Sequence, residues 1–89
     1  MARYRVILSK GTYKFLTETD RELSLRILEE ISDLQNFPFL TKPHDLAKLK
    51  GRKNFYRLRV GNSRVIFKID KATRTISVEK TGYRKSIYK

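Results

Sequence analysis

The sequence predicts an α+β domain: an N-terminal strand, a helical hairpin, then an antiparallel β-meander, forming one sheet with the helices packed on one face. Three observations predict it. A short alternating apolar stretch opens the chain, an apolar repeat at three- and four-residue intervals fills its first half, and turn-forming residues divide its second half into short alternating runs. At 89 residues the chain is expected to be one domain spanning 1–89, because two cores would each fall below a self-sufficient size.

Tyr4, Val6 and Leu8 alternate with Arg3, Arg5 and Ile7, the pattern of a first strand with one buried face, ending at Ser9. A short helix through Tyr13, Phe15 and Leu16 follows. Thr19-Asp20-Arg21-Glu22 then has the Thr-x-x-Glu spacing of a capping box and predicts the start of a second helix. Leu23, Ile27, Leu28, Ile31 and Leu34 form one apolar stripe on that helix, which should reach about Gln35. Arg26, Glu29, Glu30 and Asp33 fall opposite the stripe and read as a solvated face. Two prolines between Phe37 and Asp45 break the helical period, so an ordered loop is expected, anchored by Phe37, Phe39 and Leu40. Three strands follow, over about Asn54–Val60, Arg64–Asp70 and Thr75–Lys80, with turns at Gly61-Asn62-Ser63 and Lys71–Arg74. Leu46–Lys50 is a candidate fourth strand.

Charge is distributed unevenly over this scaffold. Residues 1–45 carry 7 Lys/Arg against 7 Asp/Glu and residues 46–89 carry 14 against 2, so the whole formal charge of +12 falls in the second half. Alternation sorts those strands by face, because successive side chains point to opposite sides of a sheet. Tyr56, Leu58 and Val60 share a face with Val65, Phe67 and Ile69 and supply the packing surface for the helices. Arg57 and Arg59, with Arg64 and Lys68 from the next strand, then occupy the other face. Arg64 should stand beside Arg57 or Arg59.

Arginine stays protonated at physiological pH and presents a planar fork of donors that matches phosphate oxygens. A cluster of them can clamp a polyanion and can stabilise the charge that builds on phosphorus during transesterification by an RNA 2′-hydroxyl, which needs neither a metal nor a protein nucleophile. Other chemistries are poorly supplied. With no cysteine, disulfides and thiolate metal sites are excluded. The single histidine, His44, excludes a two-histidine ribonuclease site and reads as a loop residue making a local hydrogen bond. No phosphate-cradling glycine motif and no paired acidic motif occurs in the basic half, so no cofactor is expected. The longest aliphatic run near the start is Val6–Leu8, far short of a signal or membrane segment, and a soluble cytoplasmic protein is the expectation.

Leu49-Lys50-Gly51, the run from Phe55 through Tyr-Arg-Leu-Arg-Val-Gly and Arg-Val-Ile-Phe to Ile69, and the terminal Gly82-Tyr83-Arg84-Lys85-Ser86-Ile87-Tyr88 together resemble the RelE branch of the RelE/ParE toxin superfamily. The resemblance covers nearly the whole chain. It implies a RelE-like fold and the toxin of a toxin–antitoxin pair, which enters the ribosomal A site and cuts the bound messenger RNA until a RelB-type antitoxin silences it. Carried over residue by residue, it implies that Arg57, Arg59, Arg64, Arg84 and Tyr88 form the catalytic set. Arg57 and Arg59 stand where some members have lysines. Arginine is a poor proton acceptor, which makes these two phosphate and transition-state ligands and leaves the base unassigned. Tyr88 is open to two roles, as a phenolate favoured by neighbouring cations or as a stacking surface for a base.

Lys48, Lys50, Arg52 and Lys53 form a charge run that is ordinarily loop surface, and together with Lys68 and Lys85 they are the expected contacts to RNA phosphates. For Arg57, Arg59 and Lys68 the plainer alternative is a solvated sheet face. The antitoxin should offer an acidic, largely helical segment, laid over the basic face or replacing the segment Arg84–Tyr88, with the neutral helical hairpin as the alternative docking surface. The resemblance implies a chain that becomes multimeric only through its antitoxin. Two rival functions remain at this point, a ParE-like inhibitor of DNA gyrase and a non-catalytic RNA-binding regulator.

Overall fold

The structure, a computed structural model, describes residues 3–83. The expected order of elements is found: β1 (Arg5–Leu8), α1 (Lys10–Glu18), α2 (Arg21–Asp33), β2 (Asp45–Lys48), β3 (Phe55–Val60), β4 (Ser63–Asp70) and β5 (Thr75–Tyr83). The candidate fourth strand is real and starts one residue earlier than Leu46, as the edge strand β2. The five strands lie in the order β1-β5-β4-β3-β2, with β1 parallel to β5 and every other pairing antiparallel. Among the described residues no helix is long and apolar enough to cross a membrane.

Helix starts are set by side chains that satisfy the first free backbone N–H groups. Ser9 Oγ accepts from Thr12 N at 3.2 Å at the head of α1. At α2 the cap is Asp20, whose Oδ1 accepts from Leu23 N at 3.0 Å, and not the Thr19 of the expected capping box. Thr19 is already committed elsewhere. Its backbone N–H closes the end of α1 on Phe15 O, and its hydroxyl lies 2.7 Å from Tyr83 Oη. Beyond Asp33 the chain tightens into a 3-10 turn over Leu34–Asn36, so the regular helix stops short of Gln35.

Leu23, Ile27, Ile31 and Leu34 are buried against the sheet, whereas Leu28 is 40% exposed. At 3.6 residues per turn, position 28 sits about 100° round the helix from Ile27, outside the stripe that faces the strands. Phe37 meets Tyr4 and Tyr56 edge-on at 5.9 and 6.1 Å, and Leu40 also packs against the core. Phe39, expected to anchor the loop with them, is 72% exposed. The bond from Phe39 N to Asn36 O at 2.8 Å reverses the chain there and turns the ring outward.

On the sheet, Leu58, Val60, Val65, Phe67 and Ile69 are buried towards the helices, and Tyr56 stacks on Phe67 at 5.7 Å. Strand β5 runs three residues past the expected Lys80. A bulge makes this compatible with the core: Phe67 pairs with Val78 and Ile66 with Lys80, so Glu79 is the extra residue. The shift brings Thr81 onto the helix side, where its hydroxyl lies 2.8 Å from that of the fully buried Thr12. One face of the sheet is thereby closed by α1 and α2, and the other carries the cations.

Candidate functional site

Register places the charged side chains of the open face. Arg59 of β3 pairs directly with Arg64 of β4, Arg57 with Ile66, and Phe55 with Lys68. Of the two neighbours open to Arg64, Arg59 is therefore the one opposite it. The two-residue connection Gly61-Asn62 makes this register possible, because the positive φ of 58° at Gly61 suits a tight hairpin turn and carries little strain without a side chain. Ser63 Oγ donates to Val60 O at 2.5 Å and ties the turn shut.

The arginines are held at the surface of the sheet with their stems covered. Arg64 is only 6% exposed. The side chains of Arg57 and Arg59 are 16% and 37% exposed, and both guanidinium groups lean on one carboxylate. Arg57 Nη1 donates to Asp45 Oδ1 at 3.5 Å, and Arg59 Nη1 lies 3.7 Å from Asp45 Oδ2. Asp45 reaches this position because it pairs with Arg59 across the edge of the sheet. Long contacts to a half-exposed carboxylate leave the guanidinium donors available to another anion, and Arg59 Nε is buried with no hydrogen-bond partner among the described residues.

The remaining basic residues divide. Lys68 shares the open face with the arginines. Lys48 does not, since it pairs with Tyr56 on the helix side of the sheet. Lys50, Arg52 and Lys53 are exposed in the turn that leads into β3. Arg84, Lys85 and Tyr88 lie outside the described residues.

His44 has a different place from the local loop role expected of it. It bridges to α2: Nδ1 is 2.8 Å from Glu30 Oε1, Nε2 is 2.6 Å from Asp33 Oδ2, and the ring is 1% exposed. Asp33, expected on a solvated face, is buried and also accepts from Thr41 N, Thr41 Oγ1 and Asn36 Nδ2. Burial pushes the imidazole towards its neutral form, but the hydrogen bonds to Asp33 and Glu30 outweigh it and raise the pKa above the ordinary value. Both ring nitrogens are engaged, so the cluster offers no imidazole lone pair to a metal. Among the described residues no group of three or more His, Cys, Asp or Glu is arranged to hold one.

No family model matches the chain. It is, however, 34% identical over 85 residues to the toxin RelE3 of Methanocaldococcus jannaschii, an alignment covering 94% of each chain. The chain belongs to the RelE toxin family. Solved RelE structures agree with that membership at the level of the fold. The RelB–RelE antitoxin–toxin complex from Methanococcus jannaschii matches with a TM-score of 0.76 and 33% identity, over 92% of this chain and 94% of that one. The archaeal RelE–RelB complex from Pyrococcus horikoshii OT3 matches with a TM-score of 0.80 and 30% identity, over 97% and 99%. In this RelE-family chain the open sheet face gathers Arg57, Arg59, Arg64 and Lys68 and adds Asp45, which the sequence had left in a loop. Alternation would have found Asp45 had the edge strand been extended by one residue.

Proposed function

We propose that this chain is the toxin of a RelB-controlled pair and that it cuts messenger RNA in the ribosomal A site. The observation that carries the reading is the cross-strand pair Arg59 and Arg64 with Arg57 beside it on the open face. In the proposed step the 2′-oxygen of the scissile nucleotide attacks the adjacent phosphorus and loses its proton to a base. The bond from phosphorus to the 5′-oxygen breaks, that oxygen takes a proton, and the products are a 2′,3′-cyclic phosphate and a 5′-hydroxyl. Arg57, Arg59 and Arg64 would donate to the non-bridging oxygens as their charge grows, and no step is assigned to a metal ion. Arg84 would join the clamp, and Tyr88 would act either as proton acceptor or as a stacking surface. Lys48, Lys50, Arg52, Lys53, Lys68 and Lys85 would meet RNA phosphates, with Lys48 reaching them only from the rim.

The two archaeal relatives solved with RelB support a RelB-type partner for this chain. An acidic segment laid over the open face would cover the clamp and offset the charge of +12. The same reading places the protein in the cytoplasm as one domain that assembles only through its antitoxin.

Primer extension on a defined messenger, with and without programmed ribosomes carrying an empty A site, tests the reading. Cleavage only with ribosomes is expected, and Arg59→Ala should slow it by about 10²–10³-fold, the usual effect of losing one oxyanion donor. Folded protein that cuts in neither tube would overturn the nuclease and bring forward gyrase inhibition, which a supercoiling assay would reveal.

A further inference from the structure

Two strand positions from Arg59's neighbour Arg57, the open face carries an aromatic ring. Phe55 opens β3, shares its face with Arg57 and Arg59, and pairs with Lys68. The guanidinium carbon of Arg52 lies 4.0 Å from the centre of the Phe55 ring, and Lys68 Nζ lies 5.9 Å from it. These are stacking and cation–π distances.

The backbone holds Arg52 over the ring. Gly51 and Asn54 have positive φ of 73° and 66°, which folds residues 50–54 back on themselves. Phe55 N donates to Arg52 O at 3.4 Å, Leu49 N to Phe55 O at 2.9 Å, and Ile69 N to Asn54 O at 2.9 Å, so both ends of the turn are fastened to the sheet. Arg52 is nonetheless exposed and has no carboxylate partner among the described residues. An unneutralised planar cation backed by an aromatic ring is poorly suited to a purely structural cap and well suited to stacking on another flat, electron-rich surface.

We propose that Arg52 stacked on Phe55 is a nucleobase-binding shelf. It rests on the reading of the open face as an RNA track: phosphates lie on Arg57, Arg59 and Arg64, and the base of a neighbouring nucleotide lies on the Arg52 guanidinium. Along β3, Phe55 is about 7 Å from Arg57, comparable to the span of a single nucleotide. The ligand is thus single-stranded RNA, bound through one base face as well as its backbone. Arg52 thereby acts by its plane as much as by its charge, and Phe55 acts by supporting that plane.

The test uses the purified full chain and a 2′-O-methyl RNA hexamer, which cannot be cut, with 2-aminopurine walked through its positions. One position should show strongly quenched fluorescence on binding. Arg52→Lys keeps the charge and loses the plane, and Phe55→Leu keeps apolar bulk and loses the ring. Each should restore that fluorescence and weaken binding by roughly five- to a hundredfold, the range for one lost stack. Hexamer binding and quenching that are indifferent to Arg52→Lys would overturn the shelf alone. A parent that binds no hexamer at all would overturn the shelf, while the ribosome-dependent cleavage assay decides the nuclease reading separately.

Discussion

His44 illustrates how much one side chain can hold. Its ring joins the loop before β2 to α2 through Asp33 and Glu30, and both ring contacts are within hydrogen-bond distance. Burial tends to keep the Asp33 carboxyl protonated, but hydrogen bonds from His44, Asn36 and Thr41 prevail and hold it well below its ordinary 3.8. The raised His44 pKa contributes stability that is complete below the ordinary 6.5 and is lost as pH rises through the raised value. The depressed Asp33 pKa contributes stability that is present above 3.8 and is lost as pH falls through the lowered value. Stability from the pair should therefore be greatest between those limits. His44→Ala takes the imidazolium partner from the buried Asp33 carboxylate and leaves it only the bonds from Thr41 and Asn36, and the expected cost is about 3 kcal/mol in urea denaturation near pH 6. That cost should shrink as pH rises through the raised His44 pKa, and a penalty independent of pH would count against a charged His44. Asp45 gives a second test. Its carboxylate competes with phosphate for Arg57 and Arg59, so Asp45→Asn should tighten hexamer binding about two- to fivefold, measured by anisotropy. Weaker binding would instead make Asp45 the group that positions the two guanidiniums.

At the scale of elements, helix starts and strand ends separate what is locally encoded from what is not. The apolar stripe of α2 was legible because the 3.6-residue period is written in the chain, and so was the alternation in β3 and β4. The cap was misread because Thr19 and Asp20 are both good capping residues, and the choice depends on how Thr19 is used by α1 and Tyr83. Asp20→Ala should consequently cost about 1 kcal/mol in a urea midpoint, whereas Glu22→Ala should cost little, since the cap bond is made by Asp20. Equal losses would restore the capping box. The bulge in β5 was not legible, because it is settled by pairing with β4, whose register no local pattern reveals, and the outward turn of Phe39 was missed because the local turn from Asn36 leaves no mark in the apolar pattern.

For the whole molecule the governing feature is polarity, with a sheet closed on one side by helices and cationic on the other. Binding of a short single strand through Arg57, Arg59 and Arg64, with Lys68 nearby, should release about three to four counterions. The slope of log K against log salt is then expected between about −2 and −3, and Arg57→Ala should reduce it by about 0.7. A flat response would mean that the open face does not carry phosphate. The sequence by itself determined the α+β class, the two faces of the meander and the location of the charge, because alternation, helical period and composition are properties of near neighbours along the chain. Only the tertiary structure decided that β1 lies parallel beside β5, that Arg59 faces Arg64, that Asp45 leans on both guanidiniums of β3, and that His44 is clamped by α2. Each of these joins residues from separate elements, and such meetings are set by how the packed core brings the elements together.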